Sequence, residues 1–169
     1  MNSEFPIRPW SEKDFTNVRK LLSITWFETY KFIPENDLVN YLNNFCSFEK
    51  LEELYRNKNA YCFSVESENQ LIGWMKLIDN KSEGKFYVSS LYILPNFQGL
   101  GIGKKLMLLA EQKAAELGYT EFWIGVMEKN LPTLNWYKKL GFIFIKEEPF
   151  AMGETSVNHY IGFKSIKPF

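Results

Sequence analysis

The sequence predicts one mixed α/β (α+β) domain spanning residues 1–169, built on a central sheet of about seven strands. Three observations carry this. The chain has 169 residues of which 46% are hydrophobic, enough for one sizeable core and too few for two comfortable domains. Helical and strand-like periodicities alternate along it in the order strand, helices, three strands, helix, strand, helix, two strands. No internal repeat, low-complexity tract or linker interrupts that order.

A short strand at Phe5 to Arg8 leads into Ser11, a helix N-cap with Asp14 three residues on, followed by Phe15, Val18, Leu21, Leu22 and Trp26 at helical spacing to about Tyr30. Pro34 interrupts, and Asp37 to Phe45 and Ser47 to Tyr55 form further helical pieces, each opened by a capping residue type. Alternation and aromatic content then predict a meander: Tyr61 to Glu66, a turn at Ser67 to Gln70, Leu71 to Ile78, a turn at Asn80 to Gly84, and Phe86 to Leu94. Helical spacing returns from Ile102 to Leu117, with Gly118 placed for a left-handed C-cap. Phe122 to Val126 is a short buried-type strand. Asn130 caps a helix with Pro132 in its first turn, Gly141 closes it, and Phe142 to Ile145 and His159 to Lys164 are the last two strands.

The 20 Lys+Arg balance the 20 Asp+Glu, so no global positive field gathers nucleic acid or anionic lipid. Cys46 and Cys62 stand in neither metal-type nor redox-type spacing, and the N-terminus lacks signal-peptide character. No apolar run approaches the roughly 20 residues that span a bilayer. A cytoplasmic protein without metal, nucleic-acid partner or membrane partner is the expectation.

The chemistry concentrates between the third meander strand and the long helix, at Gln98-Gly99-Leu100-Gly101-Ile102-Gly103-Lys104. Glycine permits close backbone approach, and the unpaired N–H groups of a helix's first turn favour an anion. A Walker-type loop would need glycine where Gln98 stands and Ser or Thr where Lys105 stands, and the dinucleotide fingerprint would need glycine at Lys104. Both fail.

What remains, Gln98, Gly101 and Gly103 in the pattern Gln/Arg-x-x-Gly-x-Gly/Ala, resembles the pyrophosphate loop of the GNAT superfamily of N-acetyltransferases. The run Ile124 to Asn130 followed by Asn135 to Phe142 is similar to the second cofactor segment of that superfamily. The resemblance implies a mixed sheet with helices on both faces, and acetyl-CoA held between a splayed pair of strands. It implies cofactor contacts at Leu91, Ile93 and Leu94 on the strand end, at Gln98, Gly99, Leu100, Gly101, Ile102, Gly103 and Lys104 in the loop, and at Asn130 and Tyr137. Tyr137 inherits the role of general acid toward the departing thiolate, and backbone N–H groups near Ile93 the role of oxyanion donors.

Within the superfamily, Glu128-Lys129-Asn130, Tyr137 to Phe142 and Phe150-Ala151-Met152-Gly153 are similar to the bacterial spermine/spermidine N-acetyltransferase branch, which implies a small-molecule amine, a polyamine among the candidates. Trp26, Glu28 and Tyr30 are the expected acceptor contacts, with Glu35 and Asp37 as further counter-charges. A protein N-terminus, a lysine and an antibiotic amine are alternative acceptors. A non-catalytic acyl-CoA sensor is a reading of another class, and the oligomeric state, a homodimer included, stays open.

A primary amine is almost wholly protonated at neutral pH and must lose a proton before it attacks. Many family members carry a glutamate for this on the strand before the glycine loop, but Tyr87-Val88-Ser89-Ser90-Leu91-Tyr92 has no carboxylate. Glu28, Glu128 and Glu154 are the substitutes considered, acting through water. The single histidine, His159, is read as an ordinary strand residue.

Overall fold

The computed structural model describes residues 5–167. Seven strands, β1 (Ile7–Pro9), β2 (Ala60–Ser67), β3 (Gln70–Asn80), β4 (Lys85–Ile93), β5 (Glu121–Met127), β6 (Ile143–Met152) and β7 (Thr155–Ser165), form one sheet in the order β1-β2-β3-β4-β5-β7-β6. All neighbours are antiparallel except β4 and β5. Helices α1 (Phe15–Thr29), α2 (Glu35–Phe45) and α3 (Phe48–Arg56) cover the face that carries Trp74 and Tyr92. Helices α4 (Ile102–Glu116) and α5 (Leu131–Lys139) cover the other, where Lys113 lies over Tyr61 and Trp136 meets Gly103.

The β1–α1 corner is pinned by charge. A 3-10 turn at Glu12–Asp14 precedes α1, and Asp14 accepts from the Ser11 N–H (2.7 Å) and from Arg8 at 2.7 and 2.8 Å, while Arg8 also reaches Glu66. Phe86, Phe122, Leu21, Leu22, Ile72, Met75 and Leu106 are fully buried between the layers.

The last two strands differ most from expectation. β6 continues seven residues beyond Ile145, and β7 begins four before His159, giving a long hairpin turning at Gly153-Glu154. Lys146, Glu147, Glu148 and Pro149 lack strand-like alternation because β6 is the sheet edge: it pairs on one side only, so charges and a proline are tolerated there. The turn is held from afar by Asp37 in the first turn of α2, which accepts from Glu154 N–H (3.0 Å) and Thr155 Oγ1 (2.5 Å). A side chain at Gly153 would collide with that carboxylate.

Candidate active site

The parallel pair β4–β5 is registered only at Tyr87–Trp123 and Val88–Ile124. One step further, at Ser89, β4 carries an extra residue against β3, since Lys76 pairs with Ser90 and Leu77 with Val88. The bulge bends β4 away, and beyond it the two strands part. Leu94 N–H is bonded to the Ile72 carbonyl of β3 at 2.8 Å, so by strand alternation the N–H groups of Ile93 and Leu91 point the opposite way, into the split.

β4 hands the chain to the glycine loop. Gly99 (φ 77°) and Gly101 (φ 81°) hold left-handed conformations, and a β-carbon at either would meet nothing within 4 Å, so the loop's outer face is open to an approaching ligand. The first helical bond of α4 runs from Lys105 N–H to the Gly101 carbonyl at 3.2 Å; none of the amides from Gly99 to Lys104 before it donates to a backbone carbonyl. That run at a helix start fits a phosphate group. Gly103 serves a second purpose: a β-carbon there would lie 3.1 Å from Trp136, so its absence lets α5 pack on α4. Gln98 turns its side chain back to donate to the Ile93 carbonyl (2.9 Å), while Leu100 and Lys104 are exposed and the Ile102 side chain is core. Leu94 is buried, its amide is taken by β3, and it faces away from the split.

A cleft of about 740 Å³ passes through the split. On the α5 side it meets Asn130, Thr133 and Tyr137. Asn130 stands at the N-cap of α5, yet its side chain makes no capping bond, which leaves its amide free for a ligand. Tyr137 packs on Trp136 and Phe142 with no partner for its hydroxyl among the described residues, and burial, with Tyr92 nearby, holds its pKa well above the usual range, so the phenol keeps its proton.

On the other side the cleft widens into a chamber roofed by Trp26, Tyr30 and Tyr41 and closed by the β6–β7 hairpin through Phe150 and Met152. Tyr30 and Tyr92 share a hydroxyl contact of 3.1 Å, and burial pushes Tyr30 up to about 12. Trp26 and Tyr30 therefore line the chamber. Glu28 does not: it is solvent-exposed beside Lys31, and Asp37 is consumed by the hairpin turn. Glu28, Glu128 and Glu154, considered as bases, are all absent from the cleft wall.

His159 is present instead. It sits on β7 opposite Met127, and its Nδ1 lies 2.9 Å from the Glu148 carbonyl. A carbonyl only accepts, so Nδ1 carries a proton, and the neutral tautomer that this contact selects has its lone pair on Nε2. The ring's other edge lies over Gly125, where a β-carbon would be 2.9 Å from Cδ2. Gly125 is the residue after the last β4–β5 pair, level with Ser89. Glycine thus lets the imidazole lie at the apex of the split. In sequence His159 has no neighbouring acid or ligand to mark it; the available signal was Gly125 inside an otherwise apolar strand.

A helix start stripped for phosphate, opening onto a split between parallel strands, is the architecture of a protein that takes an extended anionic co-substrate between two strands. The chain belongs to the Acetyltransferase (GNAT) family, whose model matches residues 15–142, and is an acetyl-CoA-dependent acyltransferase. It is 23% identical over 163 residues to an uncharacterised N-acetyltransferase from the pepI 3′ region of Lactobacillus delbrueckii subsp. lactis, covering 92% of this chain and 94% of the relative. It is 29% identical to a spermidine N(1)-acetyltransferase of Thermoplasma acidophilum, covering 80% and 86%. The fold matches that of the PaiA N-acetyltransferase of T. acidophilum, solved with coenzyme A, at a TM-score of 0.80 with 24% identity, over 96% and 99% of the two chains. Among the described residues no cluster could hold a metal ion, and no helix is long and apolar enough to cross a membrane.

Proposed function

We propose that this chain acetylates a primary amine by direct attack on the thioester, with His159 as general base and Tyr137 as general acid. The observation that carries the reading is the continuity of one cleft through the β4–β5 split, with Tyr137 on one side and His159 at the apex facing the chamber.

Acetyl-CoA supplies the activated acyl group. The amides of Gly99 to Lys104 receive its pyrophosphate, and Asn130 bonds the arm lying in the split. The N–H groups of Leu91 and Ile93 stabilise the oxyanion. His159 Nε2 takes the proton that the ammonium must lose, and the Glu148 carbonyl steadies the imidazolium through Nδ1. Tyr137, kept protonated by burial, gives its proton to the thiolate as the carbon–sulfur bond breaks, and regains one from the second proton that the attacking nitrogen sheds on becoming an amide.

A polyamine such as spermidine or spermine is one candidate acceptor, on the likeness to the T. acidophilum relative; a protein N-terminus, a lysine side chain and an antibiotic amine are the other candidates. Thiol release from acetyl-CoA over an amine panel is the test. Acceptor-dependent release is expected, and binding of acetyl-CoA without release on any amine or peptide would establish a sensor and overturn the enzymatic reading.

A further inference from the structure

Resting on the acetyltransferase reading, we infer that the acceptor amine carries an anionic group, a carboxylate, that seats on the ammonium of Lys76 in the chamber. The charged side chains along the cleft are Lys50, Glu53 and Lys76. Lys50 and Glu53 satisfy one another at 2.7 Å. Lys76 is half-buried in the central strand β3, and among the described residues no carboxylate lies within 4 Å of it. Its cross-strand neighbours are Cys62 and Ser90, and its neighbours on the same face of β3 are Trp74 and Ile78. Its charge is felt there: burial pushes the Cys62 and Cys46 thiols up, and Lys76 pulls both back. A half-buried ammonium that faces the cleft and meets no carboxylate of the protein offers a charge-assisted seat to one brought by the substrate.

A second observation points the same way. Trp74, 2% exposed, lines the same cleft, and among the described residues its indole N–H has no acceptor, whereas that of Trp26 is directed at the Tyr92 hydroxyl. An indole N–H and an ammonium are donors only. Lys76 and Trp74 thus bring to this wall donors that no described carboxylate meets. A second ammonium on the substrate adds donors and a like charge, whereas a carboxylate brings acceptors alone. The carboxylates that would have welcomed a polycation, Glu28 and Asp37, are elsewhere.

Three acceptors of one length separate the cases: 5-aminopentanoate, pentylamine and 1,5-diaminopentane, which end in a carboxylate, a methyl and an ammonium. In the full chain kcat/KM should rank in that order, with the carboxylate favoured over the methyl about tenfold. In Lys76→Met the ratio of the first two should fall to near one, and in Lys76→Glu the order should invert toward the diamine. Ratios within one variant cancel any general loss of activity, and if a variant fails to fold the rank order of the parent decides. A diamine turned over as well as or better than the amino acid, a ratio unchanged by Lys76→Met, or no turnover of all three by protein that binds acetyl-CoA overturns the proposal. Failure to bind acetyl-CoA would instead overturn the acetyltransferase reading beneath it.

Discussion

The two sides of the β4–β5 split are built by different means. The side proposed to meet the co-substrate is nearly continuous in sequence: the end of β4, the glycine loop and the start of α4 run from Leu91 to Lys104, with Asn130 and Tyr137 added by the next strand–helix unit. Its chemistry is backbone chemistry, amides presented by a helix start and a bulged strand. The chamber proposed for the acceptor draws Trp26 from α1, Tyr41 from α2, Lys76 from β3 and His159 from β7, residues up to 133 positions apart, and presents side chains. A ligand common to a whole family can be held by backbone geometry, which many side chains tolerate, whereas discrimination among acceptors requires side chains that a few substitutions can change.

That division can be broken from either side, and His159→Asn is the variant with the largest expected effect. Asparagine can still donate to the Glu148 carbonyl but offers no basic nitrogen, so kcat should fall about 1,000-fold with acetyl-CoA affinity unchanged. Added imidazole should restore part of the rate. A loss within a few-fold would return the base to water and blur the contrast.

Tyr137→Phe comes next, at about 100-fold in turnover, since it keeps the ring and removes only the hydroxyl. Because burial holds this phenol above its usual range, it stays protonated at pH 7 and pH 9 alike, and the factor should be the same at both. A defect that vanishes at one of them would mean that another group donates.

Gly101→Val strikes the co-substrate side. The added branch lies on the open face of the loop, and acetyl-CoA affinity should weaken by about 2 kcal/mol, roughly 30-fold, with acceptor preference unaltered. The left-handed φ of 81° also strains valine, costing about 1–2 kcal/mol of stability, visible as a lower Tm. Unchanged affinity in a folded variant would remove the loop from the co-substrate site.

Asp37→Ala loosens the turn that closes the chamber without touching the cleft, so KM for the acceptor should rise several-fold while Kd for acetyl-CoA stays put. Equal changes in both constants would show that the hairpin serves both sides.

The smallest catalytic effect belongs to Asp14→Asn, remote from both regions. Burial opposes the Asp14 charge, but Arg8 and the Ser11 N–H outweigh it and hold the carboxyl below its ordinary pKa. A carboxyl lowered on folding adds stability above its unfolded pKa of about 3.9 and loses it as pH falls through its own lower value. The parent should therefore unfold later than the variant by about 1–3 kcal/mol at pH 7, with the gap closing below about pH 4. A gap independent of pH would refute the assignment.

How far these regions could be read beforehand follows from the same division. The loop from Gln98 to Lys104 and the helix it opens were legible because glycine, a helix start and a preceding strand are local features whose physics acts over a few residues. Tyr137 and Asn130 were legible as positions in a local strand–helix unit, and seven strands in order followed from periodicity. The bulge at Ser89, which creates the split, was not, since it exists only relative to the register of β3. The extension of β6 was hidden because an edge strand needs no apolar alternation. Glu28 and Asp37 read as counter-charges in the chain, His159 as an ordinary strand residue, and Lys76 drew no reading of its own within the strand from Leu71 to Ile78. Only packing turned the carboxylates toward solvent and a hairpin turn, and set the lysine and the imidazole on the wall of one cleft. Burial, tautomer and counter-charge are properties of neighbours in space, and for Asp37, Lys76 and His159 the neighbours that matter come from other elements.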